Sequence, residues 1–407
     1  VPVRDVRART ACDPYARTAF RAGSTLLAVA LLAGPARSAP ETVHAKDPAE
    51  RGGYATRSVM AIGGGDAPDA AQFFERLGTL AVDADAAGDV YVLDDGNHRV
   101  QVFDANGRFL RSIGGEGQGP GEFSMPGDLS VNEGGDCAVF DVGTMRITVF
   151  DKKGTVLRDQ IVEEPVREMV LLADRSLVVV PMRGEQTIAY DSAGKELWHL
   201  GTAPPRASEE REINIQTPYQ QVGSRLALGD GAHLWRGSSD TYALDLLADG
   251  SMVRRQDRDF SRVDFKLPEP PKREDGEEGG PRVVMMVQRD ETGPDGSTQR
   301  SSSIQEGDGM ETHEFSMDDL ASMLPEYQPD VRAVLGWPDG RVWVVTAADD
   351  GDSMVTDEWS ADGRYLRRFP LSKDYQFYRV GRDGVLYGVT HDDDYYPIVH
   401  KLAVEKR

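Results

Sequence analysis

Leu80-Ala-Val-Asp83, a turn at Gly88, Val90-Tyr-Val-Leu93, a polar turn, Arg99-Val-Gln-Val-Phe103, a turn at Asn106-Gly107 and Phe109-Leu-Arg-Ser-Ile113 follow one another within residues 80–113. Each run is too short for a helix and is bounded by turn residues, which is the pattern of β-strands joined by tight turns. The next stretch repeats it. Leu129-Ser-Val131 precedes Gly134-Gly135, then come Cys137-Ala-Val-Phe140, Arg146-Ile-Thr-Val-Phe150, Lys153-Gly154 and Val156-Leu157.

The repeat has a fixed phase. The first and third turns stand 19 residues apart at Gly88 and Gly107, Gly135 and Gly154, Arg175 and Gly194, and Gly231 and Gly250, and 23 apart at Gly340 and Gly363. A sixth unit runs from Tyr378-Arg-Val380 through Asp383-Gly384 to Val399-His-Lys-Leu-Ala-Val404 and lacks a fourth strand. A spare strand, Ser58-Val-Met-Ala-Ile62, precedes the first unit and is followed by Gly63-Gly64, much as Arg111-Ser-Ile113 is followed by Gly114-Gly115. Internal repeats decide the architecture before any single motif does. Six four-stranded units with one split between the ends predict an all-β, six-bladed β-propeller closed by the N-terminal strand, with only short edges. The expected blades are 78–113, 128–161, 166–200, 217–255, 331–369, and 376–405 with 57–62. Trp235, Trp337, Trp343 and Trp359 are expected to pack between blades.

Val92-Leu-Asp94-Asp-Gly-Asn97-His-Arg99-Val100-Gln-Val-Phe103-Asp-x-x-Gly107 resembles an NHL repeat, as does Phe140-Asp141-Val-Gly-Thr-Met-Arg146-Ile147-Thr-Val-Phe150-Asp-x-x-Gly154. The chain is similar to exported bacterial six-bladed propellers of the NHL type. The match is good in two blades and loose in four, so it implies the fold more firmly than an activity. NHL propellers are mostly binding platforms, and related six-bladed folds include lyases and lactonases. Asp94 with Arg99 and Asp141 with Arg146 are read as structural pairs of the repeat.

Outside the repeats, five arginines in residues 1–23 precede the apolar run Thr25-Leu-Leu-Ala-Val-Ala-Leu-Leu-Ala33 and then Gly34, Pro35, Ala36, Ser38 and Ala39. Basic, apolar, then small is the secretory-signal order, and the apolar run falls short of the ~20 residues that span a bilayer. Residues 1–39 are therefore expected to be an export signal, leaving a periplasmic or extracellular protein with no membrane span. Residues 40–56 read as a disordered linker before a propeller at 57–407. Two cysteines, Cys12 and Cys137, cannot make a disulfide framework. Cys137, within an apolar strand, is expected to be buried and inert. The 43 glycines favour turns over helices. The net charge of −22 argues against nucleic acid as partner, because phosphate binding requires an excess of Lys and Arg.

Residues 256–330 break the rhythm between the fourth and fifth units. They hold Pro268-Glu-Pro-Pro271, an acidic run at Glu274–Glu278, a strand-like Arg282–Gln288, and Ser316–Leu324, which reads as a short helix capped by Ser316 and ended by Pro325. A loop of this length is functional or disordered.

The turns between second and third strands collect acids: Asp94, Asp95, Asp141, Asp240, Asp349, Asp350, Asp352, Asp392, Asp393 and Asp394. Asp bonds its own backbone in turns, which is the structural reading. Carboxylates gathered on one face would also attract a cationic protein or peptide, and Ca²⁺ is the ion they would suit. No motif demands a cofactor. His98 and His391 fall in such turns of the first and last units and join these acids as candidate binding residues; with Asp392 they could ligate zinc or act as acid and base, but without the spacing of a zinc site the structural reading is a surface turn residue. Tyr395 and Tyr396 beside Asp392–Asp394 form an aromatic–acidic pair of the kind that takes Arg or Lys side chains. Gly114–Gly121 fails the dinucleotide fingerprint and reads as a crossover between blades.

The expectation is a monomeric extracytoplasmic scaffold, without catalysis, that binds a protein through its acidic loop face. The alternative is a divalent-metal-dependent, lactonase-like hydrolase or lyase with its site at the central channel.

Overall fold

In the computed structural model the described residues are 40–74, 80–182, 186–201, 225–230, 233–238, 241–264, 285–292, 298–305 and 327–407. They form six antiparallel four-stranded blades, one of them extended by a fifth, parallel edge strand, and a separate two-stranded sheet. Blade 1 comprises Val82–Ala84, Val90–Asp94, Arg99–Phe103 and Phe109–Ile113. Blade 2 spans Pro126–Val131 to Val156–Ile161, blade 3 Val166–Leu171 to Glu196–Leu200, and blade 4 Leu226–Leu228 to Ser251–Arg258. Blade 5 spans Val331–Gly336 to Tyr365–Ser372. Blade 6 takes Phe377–Val380, Leu386–His391 and Pro397–Lys406 from the C-terminus, and its outer strand is Tyr54–Gly63. That strand pairs antiparallel with Pro397–Lys406, from Tyr54 opposite Lys406 to Gly63 opposite Ile398. The chain is a six-bladed β-propeller.

The constant spacing has a local cause. Asp104, Asp151 and Asp191 open the turns between third and fourth strands, each accepting from backbone N–H groups two and four residues on. A glycine at positive φ follows three residues later: Gly107, Gly154 and Gly194. The aspartate replaces backbone partners that a tight turn cannot supply, and glycine takes the left-handed position at no steric cost. These amide bonds hold all three carboxyls below the usual carboxylate range.

Packing closes the ring. Each interface between neighbouring blades is one apolar cluster, six in all. Cys137 lies in the cluster between blades 1 and 2, where burial pushes its thiol up to about 12. Trp235, Trp343 and Trp359 are buried in the clusters that join blades 4, 5 and 6. Between blades 1 and 2 the chain crosses through Gly114–Gly121. Gly114 has φ +81°, and a Cβ there would meet the Phe123 ring at 2.1 Å, so only glycine lets the crossover lie under that ring.

Two features correct the sequence reading. Residues 40–56 are not a disordered linker. Glu41–Ala45 is a strand added in parallel to the outer edge of blade 4, with Glu41 opposite Arg254 and His44 opposite Asp257. Ala49 and Glu50 then donate to the carbonyls of Tyr365 and Leu366 on blade 5 before the chain enters blade 6. This strap is held by backbone bonds and ion pairs rather than by apolar burial, so hydrophobic periodicity does not reveal it. The insertion also starts later than residue 256, because the outer strand of blade 4 continues to Arg258. Its two stems meet at an Asp264–Tyr327 bridge. Within it, Met285–Thr292 and Thr298–Gln305 pair as a hairpin. The expected helix at 316–324 and the expected signal at 1–39 lie outside the described residues.

Candidate functional site: the loop face and the channel

Turns between second and third strands and connections between blades emerge at the same end of the sheets, which defines the loop face. The acids assigned to it divide into two groups. Asp94 is buried. Its carboxylate accepts from the Phe74 amide at 2.8 Å, from Asn97 at 2.9 Å and from Arg99 Nε at 2.7 Å. Asp95 is buried beside it. His98 takes the left-handed conformation and its backbone N–H donates to the Asp95 carbonyl. Asp141, also buried, accepts from the amides of Ser124, Met125 and Thr144 and from the Thr144 hydroxyl, at 2.7–2.9 Å. In blades 1 and 2 these carboxylates therefore pin the incoming connection to the blade. Asp94 and Arg99 form an ion pair. Asp141 and Arg146 do not, although they are opposite in register, because Arg146 turns to Asp159 at 3.2 Å and to the Gln118 carbonyl at 3.0 Å.

The second group faces solvent. Asp349, Asp350 and Asp352 surround the exposed Gly351 in blade 5, and Asp393, Asp394 and Tyr395 are exposed in the corresponding turn of blade 6. Lys373 reaches Asp349 at 3.2 Å. Asp392 organises its own turn, accepting from the amides of Asp394 and Tyr396 and, at 2.7 Å, from Gly65 in the connection to blade 1. These backbone donors hold its carboxyl below the usual range. Tyr395 stands at φ +64° and is 84% exposed. Tyr396 packs edge-on against Phe74, ring centroids 5.4 Å apart, and Phe74 is itself 43% exposed. His391 is partly buried at the start of this turn. Asp240 lies outside the described residues. Among the described residues no three His, Cys, Asp or Glu groups come together as a metal-holding set.

The channel holds charged residues that reading turns alone overlooks. The innermost strand of each blade is an edge strand, with backbone groups left unpaired towards the channel. Side chains from the preceding blade take them up. Asp83 accepts from the Val131 amide, Asp128 from Met169, Ser130 from Leu171 and Glu168 from Arg225, at 2.8–3.0 Å. Arg379 of blade 6 donates to Asp83 at 3.1 Å. Arg382 crosses the ring, donating to the Val131 carbonyl at 2.9 Å and to the Leu171 carbonyl of the opposite blade at 3.1 Å. Polar residues at core-facing positions of first strands were the available signal: Asp83, Asp128, Glu168 and Arg379 interrupt otherwise apolar runs.

Burial pushes the Asp128 carboxyl up to about 7, with Arg379 opposing. The folded chain therefore binds a proton there that the unfolded chain, near pKa ~3.9, has already lost, and stability from this group falls as pH rises from about 4 to 7. Asp128→Asn, which keeps the neutral shape, is expected to flatten that slope. Urea unfolding at pH 4.5 and pH 7.5 checks it, and an unchanged slope would remove Asp128 as its source.

Residues 82–165, blades 1 and 2, match the profile of the DUF5128 family, described as a 6-bladed beta-propeller. No curated protein sequence matches the chain. Among solved structures, BF0058 from Bacteroides fragilis is similar at 10% identity and a TM-score of 0.47, over 89% of this chain and 99% of that one. A DUF4221 family member from Bacteroides vulgatus is similar at 10% identity and a TM-score of 0.46, over 88% and 100%. A virginiamycin B lyase from Staphylococcus aureus is similar at 12% identity and a TM-score of 0.41, over 86% and 99%. At these scores none bears on activity. Among the described residues no helix is long and apolar enough to cross a membrane.

Proposed function

We propose that the protein is an exported, non-catalytic binding scaffold of NHL-like type whose loop face, at blades 5 and 6, takes a cationic segment of a protein partner. The observation that carries this reading is Tyr395. A large aromatic side chain is held in the strained left-handed region, 84% exposed, on a turn that Asp392 pins and Asp393 and Asp394 flank. Neither burial nor turn stability explains it, since Asn or Gly would suit that backbone better. An exposed ring beside carboxylates matches Arg and Lys, through a cation–π contact of about 0.5–1 kcal/mol at an exposed site together with ionic attraction. Asp349, Asp350 and Asp352 extend the acidic surface to the neighbouring blade. Export is supported by the basic, apolar and small order of residues 1–39.

The test is site-specific photocrosslinking from position 395 in the producing cells, with position 110 on the outer strand of blade 1 as control. A defined partner is expected at 395 and not at 110. Its affinity for the purified protein should fall about tenfold with Tyr395→Ala/Asp393→Asn/Asp394→Asn and weaken with salt, as surface electrostatics do. A partner bound equally well by that variant would overturn the reading.

A further inference from the structure

Two guanidiniums from blade 6 meet one carboxylate inside the channel. Arg379 lies on the first strand of blade 6 and Arg382 in the turn that follows it. Asp83, on the first strand of blade 1, is the acid beside them. Arg379 bonds it at 3.1 Å. Arg382 makes no ion pair among the described residues, and its bonds go to the carbonyls of Val131 and Leu171. Asp83 is 1% exposed and already accepts from the Ala84 and Val131 amides as well as from Arg379. Burial pulls the Arg382 guanidinium below its usual range; Asp83 opposes this and Arg379 adds to it. Carbonyl dipoles solvate a cation without neutralising it, and a buried charge lacking a counter-ion is costly.

The other channel acids do not supply the missing charge. Glu168 is engaged by the Arg225 amide at 2.8 Å and by the guanidiniums of Arg167 and Arg225 at 3.5 and 3.6 Å. Asp128 accepts from the Met169 amide and forms no ion pair among the described residues. Donors, in contrast, remain open. Arg379 Nε and Nη1 and Arg382 Nη1 have no acceptor among the described residues, and none of the three is sealed from solvent. Arg379 acts on Asp83, Asp128 and Glu168, acids of blades 1, 2 and 3, which sets it at the centre of the ring. The 13% of its side chain that stays accessible is therefore channel surface.

We propose that the channel binds a small monocarboxylate between Arg379 and Arg382. Its oxygens accept from the open N–H groups of the two guanidiniums, and its charge balances the cation that Asp83 leaves uncompensated. A planar carboxylate matches guanidinium forks, whereas a spherical halide meets fewer of their donors. The site is separate from the exposed turns of blades 5 and 6, so either reading can fail without the other.

Formate is the probe, a carboxylate with no further bulk. It is titrated into the ¹⁵N-labelled protein at constant ionic strength while the arginine Nε–H signals are followed, those of Arg379 and Arg382 being assigned through their side-chain carbons. Both are expected to shift saturably. Formate affinity, read calorimetrically, should fall about tenfold or more in Arg382→Gln, the worth of a hydrogen bond to a charged group. It should be unchanged in Arg57→Gln, which removes a guanidinium 66% exposed on the closing strand. Chloride should compete with formate and bind several-fold more weakly. If Arg382→Gln does not fold, Arg382→Lys keeps the charge without the fork and should weaken formate several-fold. A shift that grows without saturating overturns the proposal from the unsubstituted protein alone. So does formate affinity unchanged in the folded Arg382 variant, an equal loss in Arg57→Gln, or chloride binding as tightly as formate.

Discussion

Asp357→Asn is expected to destabilise the protein by about 3–5 kcal/mol, the cost of leaving a buried guanidinium without its counter-charge. Asp357 lies on the third strand of blade 5 and is fully buried. It accepts from Arg258 Nε at 2.6 Å, from the Tyr365 hydroxyl at 2.6 Å and from Arg368 Nε at 3.1 Å. Arg258 belongs to the outer strand of blade 4 and is itself buried, stacked over the Tyr242 ring at 4.2 Å. The pair joins two blades, so the substitution weakens the interface and not only one strand. Arg258→Met alone should cost a similar amount, because it strands the carboxylate. The double variant Arg258→Met/Asp357→Leu should recover much of the loss, since an apolar pair avoids the desolvation penalty. Urea unfolding of the three variants forms a thermodynamic cycle. Single changes that each cost less than about 1 kcal/mol would place the pair among ordinary surface contacts.

Deletion of residues 40–63 should have a larger effect still and abolish cooperative unfolding. Tyr54–Gly63 is the outer strand of blade 6, and without it Pro397–Lys406 loses its partner along the whole register. Ile62 leaves the cluster between blades 6 and 1. Tyr54 leaves the cluster between blades 5 and 6, where its hydroxyl donates to the buried Glu358 at 2.9 Å and its ring lies 4.9 Å from Trp343. Closure is what removes edges in this architecture. An open ring exposes two blade faces and a free strand edge, so aggregation accompanies the loss. Deleting residues 40–46 alone removes the parallel strand on blade 4 and its Glu41–Arg254 and His44–Asp257 contacts. Glu41 and His44 are exposed and their partners only partly buried, so the cost should stay within about 1–2 kcal/mol. Circular dichroism melting curves and limited proteolysis distinguish the two truncations. A cooperative transition surviving the longer deletion would contradict the role of the closing strand.

The sequence by itself determined the blade and the ring. Turn spacing is a local property: an Asp or Ser at the turn entrance bonds amides two to four residues away, and glycine supplies the left-handed corner. Fixed turns separated by apolar strand runs leave little freedom in the four-stranded unit. The split sixth blade was legible for the same reason, through a fourth strand without the first three at one end and three without a fourth at the other. The strap at 41–45 was not, because parallel pairing on an edge uses backbone groups that every residue carries.

Tertiary structure decided which acids are available. Asp94 and Asp393 look alike in sequence, each a turn aspartate after a second strand. Asp94 is occupied by the Phe74 amide and by Arg99, and Asp141 by two amides of a connection sixteen and seventeen residues upstream. The turn of blade 6 receives its connection at Asp392, through Gly65, and at Tyr396, through Phe74, which leaves Asp393, Asp394 and Tyr395 to solvent. Arg382 bonds carbonyls 251 and 211 residues away, across a ring that exists only once all six blades have met. Such partners are set by closure of the chain on itself, and no local pattern of residues encodes them.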